Sequence, residues 1–350
     1  MIETFILYNA ILLLSVLFAY YAEHSKTRRS RILARYSLFM VLFVPSVLRY
    51  DIGTDYASYV DSFNFSSEYK QTEIVFYALI LFLRNLQLPA HSLFVCSAFI
   101  TYFPLLFLQR KNYTWKILMY VLLCYLLSYS AIRNMISLSL VILAFDLFFR
   151  GKRWGAFIIY PLSVLFHASS FVFLPFFFVN RMHCNRIILL LISSFLLCIC
   201  YTDMFFVLLN NDLFLNSYYG GYMFSVYGVE PSYNTGYGAF SKILFAAIVF
   251  LSVLFSKDNA VIYFSLFYFI SLVLMTKVSI FLRLADAAAI TLVFALPLCL
   301  SVWREKKIIA LKYLMVLFYV VLFEMFIYAN NRGLKEGNVG VSPYQTIFCE

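Results

Sequence analysis

Charge is scarce in this sequence. Asp, Glu, Lys and Arg make up 13% of its 350 residues, against 63% hydrophobic residues. A water-facing domain carries about 25% charged and roughly 45–50% apolar residues. So few charges cannot cover a solvated surface, which excludes a soluble enzyme, a disordered chain and a secreted disulfide scaffold. Cysteine is also sparse. Most of the seven Cys lie inside apolar runs, as at Cys96, Cys124, Cys198, Cys200 and Cys299. Cys198 and Cys200 have no His or acid beside them, so they read as small membrane-buried side chains rather than a disulfide or metal framework. No P-loop, paired metal-ligand motif or GxSxG elbow is present, so nucleotide hydrolysis and a serine-hydrolase mechanism lose support. No cleavable signal peptide is visible. The first apolar run lacks a basic segment before it and has its basic cluster behind it, so it reads as a retained helix. No soluble domain is inserted and no internal repeat is clear. The polytopic membrane class remains.

What the chain does have is aromatic residues, 20% of the total, and a formal charge of +10. The Lys and Arg do not form one basic arm. They punctuate the chain between apolar runs, as cytoplasmic loops do when they set membrane orientation, so no nucleic-acid partner is expected. A spanning helix needs about 20 mainly apolar residues. The runs are Phe5–Tyr21, Ile32–Leu48, Ser92–Leu108, Trp115–Tyr129, Asn134–Phe149, Arg186–Tyr201, Phe240–Phe255, Ala260–Thr276, Leu284–Val302 and Ile308–Tyr328. Ile74–Leu88 is short, and Trp154–Val179 is overlong and broken by Pro161, His167 and Pro175. The expected fold is all-α: a polytopic integral membrane protein of roughly 10–12 transmembrane helices plus re-entrant segments. Residues 1–350 are read as a single integral membrane domain, with external loops near 49–73 and 202–239.

Loop charge orients the chain. Lys26, Arg28, Arg29, Arg31 and Arg35 follow the first helix and place that loop in the cytoplasm. Arg110, Lys111 and Lys116, then Arg150, Lys152 and Arg153, ask for the same side, as do Arg181 and Arg186. That works if Ile74–Leu88 does not cross fully and Trp154–Val179 is an in-and-out hairpin with its tip near His167. The cations left on the outside, Arg49, Arg133 and Arg283 among them, sit at helix ends in apolar sequence and so need a reason of their own.

Four places could carry chemistry. Arg49-Tyr50-Asp51-Ile52-Gly53-Thr54-Asp55-Tyr56 packs a cation, two carboxylates and phenols directly after a helix. Asp51 and Asp55 offer a general base and an orienting partner, although a solvated loop with Arg49 as a helix anchor would look the same. Arg133 and Asn134 interrupt the run from Trp115 to Phe149. There Arg133 could grip a phosphate with its bidentate fork or simply mark a turn. His167-Ala168-Ser169-Ser170 sits between apolar half-helices, and its imidazole could be an acid, a base or a structural histidine. Arg283 and Asp286 have the i,i+3 spacing of an ion pair, which either neutralises itself or leaves Arg283 facing an anionic substrate. The Tyr- and Gly-rich segment 218–237 would suit a carbohydrate-facing lid, or equally an interfacial aromatic belt.

With these residues quoted, the chain resembles the EpsG family of membrane polysaccharide polymerases, related in role to the Wzy O-antigen polymerases. The resemblance rests on the segment from Arg49 to Tyr56, on Ala131-Ile132-Arg133-Asn134, Leu165-Phe166-His167-Ala168-Ser169-Ser170 and Phe281-Leu282-Arg283, and on Pro343-Tyr344-Gln345-Thr346-Ile347-Phe348. Asn134 departs from the Gln common at that place in the family. The resemblance implies an architecture like the C-type glycosyltransferases, in a bacterial inner membrane with its active site on the periplasmic face. It implies partners of undecaprenyl-pyrophosphate-linked oligosaccharide as donor and acceptor, within the lipid bilayer, and leaves room for a chain-length regulator. No cofactor and no metal are expected, because two or three Arg can stabilise a leaving pyrophosphate. The expected catalytic residues are Asp55, His167, Asp51, Arg133 and Arg283, with the choice of base among Asp51, Asp55 and His167 open. Arg49, Tyr56, Asn134, Ser169, Asp286 and Tyr344 are expected to bind substrate. The competing readings are an O-antigen ligase with lipid A core as acceptor, a flippase for lipid-linked repeats, and a membrane acyltransferase.

Overall fold

The computed structural model describes residues 2–65, 73–181, 185–202, 204–216, 237–278, 280–305, 308–332 and 340–348. The described residues form helices joined by loops, with no strand among them, and the apolar runs supply most of the helices. In chain order these are α1 (Ile2–His24), α2 (Arg28–Leu48), α3 (Tyr56–Asn64), α4 (Ile74–Asn85), α5 (His91–Tyr102), α6 (Tyr113–Tyr120), α7 (Ile132–Phe149) and α8 (Arg153–Phe166). They continue as α9 (Arg186–Cys200), α10 (Met204–Leu209), α11 (Asp212–Leu215), α12 (Tyr237–Val253), α13 (Asn259–Met275), α14 (Ile280–Ala288), α15 (Ile290–Glu305) and α16 (Ala310–Ala329). The protein is a polytopic, all-helical membrane protein. Most of the expected external loop at 202–239, including the proposed lid, lies outside the described residues.

Among the described residues, four helices are long and apolar enough to cross a bilayer: α1, α2, α7 and α16. The bent pair α14–α15 would make a fifth. This is fewer uninterrupted spans than the sequence predicts, because several runs are broken within their length. The run from Trp115 leaves α6 for a π-helical turn at Val121–Tyr125 and a 3-10 turn at Leu127–Tyr129. The run from Ser92 tightens from α5 into a 3-10 turn at Phe103–Phe107, where Pro104 removes a backbone donor. The long run Trp154–Val179 breaks at His167, which is extended (φ −158°, ψ 118°) between α8 and a 3-10 segment at Ala168–Arg181.

The chain groups into two compact units, residues 1–174 with 316–350, and residues 175–315. In the first, α7 is the central helix. Its span is 72% buried, against 33% for α1 and 28% for α2, whose outer faces carry exposed Leu13, Leu33 and Met40. Such faces are costly in water but suit lipid. α7 and α8 approach closely through small polar side chains, with Ser137 donating to the Ser163 carbonyl at 2.6 Å and meeting the Ser170 hydroxyl. Tyr160 donates to the Ser170 carbonyl at 3.0 Å. The Ser163 carbonyl also accepts from the His167 N–H at 3.1 Å, so the hydroxyls of Ser137 and Tyr160 tie α7, the end of α8 and the segment after the break to one another. In the second unit α13 is packed on most of its faces, against α9, α12, α14 and α15.

The two ends of the first unit differ in kind. At one end the loops after α1, before α6 and after α7 meet. Glu23 accepts from the Asn112 and Thr114 backbone N–H groups at 3.0 and 2.8 Å, Arg35 donates to the Leu108 carbonyl at 2.8 Å, and Arg150 donates to the Phe107 carbonyl at 2.9 Å. Lys116, which the sequence places in a basic loop, lies in α6 and is buried. It pairs with Asp146 at 2.6 Å, and Asp146 also takes Arg150 at 2.8 Å and the Gln109 N–H at 2.8 Å. The opposite end gathers residues 48–55, Glu73, the start of α7, His167 and the C-terminal tail. α4 begins there. Its twelve residues span about 18 Å, short of a hydrocarbon core of roughly 30 Å.

Asp146 holds three donors in a buried place. Replacing it with Ala would strand the Lys116 ammonium, and breaking such a pair typically costs about 3–5 kcal/mol. Asp146→Ala is therefore expected to unfold at markedly lower denaturant than wild type in detergent. Equal midpoints would show that the basic end is not held by this carboxylate.

Candidate functional site

The loop after α2 is fixed by the C-terminal tail. Tyr50 N–H donates to the Gln345 carbonyl at 3.0 Å, Ile347 N–H to Leu48 at 3.0 Å, and Gly53 N–H to Gly340 at 2.9 Å. Arg332 donates to the Gln345 side chain at 2.8 Å and lies 3.3 Å from the Asp51 carboxylate. Tyr344 N–H meets Thr4 Oγ1 at 2.9 Å, and its phenol donates to the Pro45 carbonyl at 2.6 Å. Burial pushes the Tyr344 phenol up to about 12, so at neutral pH it keeps the proton it donates. Asp51 adopts φ 47° and Gly53 φ 108°. Gly53 is required by space as well as by conformation, because a Cβ there would lie 2.0 Å from the Tyr129 carbonyl oxygen.

Arg49 turns inward from this loop. Its side chain is buried, with the guanidinium over the Tyr129 ring at 4.7 Å and the Phe94 ring at 5.2 Å. Its Nε and Nη1 have no hydrogen-bond partner among the described residues. They lie beside a cavity lined by Ser46, Ser97, Thr101, Tyr102 and Ser128, with room for about one water molecule. Burial pushes Arg49 below the usual arginine range, yet a guanidinium starts so far above neutrality that it stays charged. The two rings offset part of the desolvation through their negative faces. Tyr56 is likewise buried, stacked on Phe94 at 4.4 Å.

Arg133 and His167 come together on a third residue, Glu73. The first turn of α7 carries Arg133, the residue after α8 is His167, and Glu73 stands at the N-cap of α4. Arg133 Nη1 donates to Glu73 Oε2 at 2.6 Å, and His167 Nδ1 lies 2.9 Å from Glu73 Oε1. The Arg133 guanidinium also lies 5.9 Å from the Tyr59 ring and 5.9 Å from the Phe76 ring. Burial pushes the Tyr59 phenol up while Arg133 pulls it back. Tyr59 is one helical turn after Asp55, to whose carbonyl its N–H donates at 3.1 Å. Asn134 is the neighbour of Arg133, and Ser169 Oγ approaches its side chain at 3.5 Å. Arg133 keeps 32% of its side chain exposed and His167 keeps 21%, against 10% for Glu73. The cation and the imidazole thus open toward solvent while the carboxylate lies behind them.

Of the residues singled out in the sequence, the structure gathers Arg133, His167, Asn134 and Ser169, with Asp55 one turn of α3 away. Asp51 and Tyr344 belong to the tail contact. Arg283 and Asp286 share α14 in the second unit, where Arg283 is exposed. In the sequence Glu73 only closes the external loop near 49–73. Its one signal was position, a carboxylate directly before an apolar helix.

A chain of apolar helices with a charged cluster at one end is a membrane-embedded protein with a polar working face. The family model for EpsG matches residues 32–346, so the chain belongs to the EpsG family, a Wzy-like polymerase family. That membership points to a polysaccharide polymerase-type, glycosyltransferase-like function. No curated protein and no solved structure matches the chain.

Because Gly53 holds the loop against the 3-10 turn at Leu127–Tyr129, Gly53→Ala should move it. An Ala forced into this backbone is expected to destabilise by more than about 1 kcal/mol, read as a lower melting temperature in detergent. An unchanged melting temperature would show that the contact with Tyr129 is not formed.

Proposed function

We propose that this protein joins oligosaccharide repeat units carried on undecaprenyl pyrophosphate into O-antigen or a related surface polysaccharide, at the periplasmic face of a bacterial inner membrane. The growing chain, linked through its reducing-end sugar to the lipid pyrophosphate, is the donor. A hydroxyl of the incoming lipid-linked repeat is the acceptor. Its oxygen attacks the anomeric carbon, the bond from that carbon to the pyrophosphate oxygen breaks, and the lipid pyrophosphate leaves with the electron pair. The hydroxyl proton passes to a base.

The observation that carries this reading is the pairing of Arg133 and His167 at one end of the first unit. Glycosyl transfer from a pyrophosphate needs a cation where the leaving group gathers charge and a proton acceptor within reach of the hydroxyl. Arg133 suits the first task and His167 the second, and both are partly exposed. Asp55 is the alternative base. The basic loops at the far end of the unit favour a cytoplasmic placement there, which supports a periplasmic site.

Purified protein supplied with a defined lipid-linked repeat is expected to extend it without added metal. Arg133→Ala is expected to lower kcat by about 10²–10³-fold, and His167→Ala by about 10²–10⁴-fold, with both proteins eluting as wild type. Full activity in both variants would withdraw these roles, and failure of the wild type to extend the repeat would withdraw the reaction.

A further inference from the structure

Glu73 is placed to do more than neutralise Arg133. We propose that Glu73 is a positioning residue that fixes His167 as the tautomer able to accept a proton and holds Arg133 beside it. The proposal rests on the polymerase reading above, with His167 as the base.

The geometry is that of one carboxylate with two occupied oxygens. Glu73 Oε1 faces His167 Nδ1 at 2.9 Å, and Glu73 Oε2 accepts from Arg133 Nη1 at 2.6 Å. An ionised carboxylate only accepts hydrogen bonds. Nδ1 of a neutral His167 therefore carries the hydrogen, and Nε2 keeps its lone pair. Nε2 is then the atom that takes the acceptor hydroxyl's proton.

The same arrangement couples the two halves of the reaction. With His167 in the neutral form that a base requires, the Arg133 cation and the Glu73 anion offset each other. Once Nε2 takes the proton, the cluster gains one positive charge. Glu73 stabilises the imidazolium from behind, and the added charge appears next to the guanidinium assigned to the departing pyrophosphate. The groups facing His167 fit this role. Glu73 and Arg133 supply charge, while Ser163 Oγ is turned to the Tyr160 carbonyl and Ser137 Oγ to that of Ser163. Glu73 reaches this position across 60 residues to Arg133 and 94 to His167, so one side chain ties α4, α7 and the break after α8 together.

Glu73→Gln separates positioning from mere support. The Gln carbonyl can still accept from Arg133, and its amide then donates to His167 Nδ1. Both contacts survive, but the imidazole is turned into the Nε2–H tautomer and Nε2 loses its lone pair. The full-length protein, labelled with 15N-histidine, is examined by NMR at a pH where the imidazoles are neutral. The His167 signal is assigned by its loss in His167→Gln. Wild type is expected to show Nδ1–H and Glu73→Gln to show Nε2–H, and kcat for extension of a lipid-linked repeat should fall on the order of 10²–10⁴-fold with donor KM nearly unchanged. Glu73→Asp, which keeps the charge on a shorter arm, is expected to retain the Nδ1–H tautomer and part of kcat. It carries the test if the Gln variant does not fold, and an Nε2–H signal in it overturns the proposal. An Nδ1–H signal in Glu73→Gln, or a changed tautomer with kcat intact, also overturns it. A wild type that shows Nδ1–H but extends no repeat overturns the polymerase reading instead, because the tautomer is read without turnover.

Discussion

The structure depends on one constraint: in so apolar a chain a charge survives burial only with a partner. Isolated ions in a low-dielectric interior carry a penalty of several kcal/mol each. Among the described residues of the first unit, two carboxylates meet this by each holding two basic side chains. Asp146 gathers Lys116, Arg150 and a backbone N–H at one end. Glu73 gathers Arg133 and His167 at the other. The surroundings of the two differ. Asp146 is 1% exposed and its partners are spent on holding loops and helix ends. Around Glu73 the partners remain partly open, which is what a site needs and a staple does not.

Arg49 meets the same constraint differently. Among the described residues no carboxylate lies within an ion-pair distance of it, and it rests between the Tyr129 and Phe94 rings with its Nε and Nη1 unmet there. The tail makes that possible. Residues 340–347 bond the backbone on both sides of Arg49, so the loop cannot swing its cation outward without breaking those bonds. The two far ends of the sequence motif set, Arg49 and Tyr344, are in this sense one structural feature, with Tyr344 bonded to α2 at Pro45. The loop's two acids divide accordingly. Asp51 faces Arg332 in the tail contact, while Asp55 opens α3, whose Tyr59 lies beneath Arg133.

Much of this was legible in the sequence. The run Ile32–Leu48 became Arg28–Leu48, the run Asn134–Phe149 became Ile132–Phe149, and the overlong run broke at His167. Hydropathy reports these because burial in lipid is a property of residue type alone. The π turn at Val121–Tyr125 left no trace, since Val-Leu-Leu-Cys-Tyr contains neither Gly nor Pro. It follows from packing, which a local pattern does not encode. Lys116 was misplaced for a related reason. A cation near a loop counts as a topology signal until its partner, thirty residues away, is known. Glu73 was passed over because its meaning is entirely non-local.

The position of the break at His167 ties fold to chemistry. α8 ends at Phe166, and His167 still donates its backbone N–H to the Ser163 carbonyl at 3.1 Å. Beyond that bond His167 is extended, and the Ser137 and Tyr160 hydroxyls donate to the Ser163 and Ser170 carbonyls on either side of the break. Those hydroxyls stand on α7 and α8 themselves, so the break is built into the tightest helix pair of the unit. A base placed on a free loop would wander relative to Arg133. Here Arg133 and His167 stand on adjacent, hydroxyl-bonded helix ends, and the carboxylate between them fixes their separation. For the proposed reaction, which moves a proton and releases an anion in the same event, that fixed separation is the property the proposed site most needs.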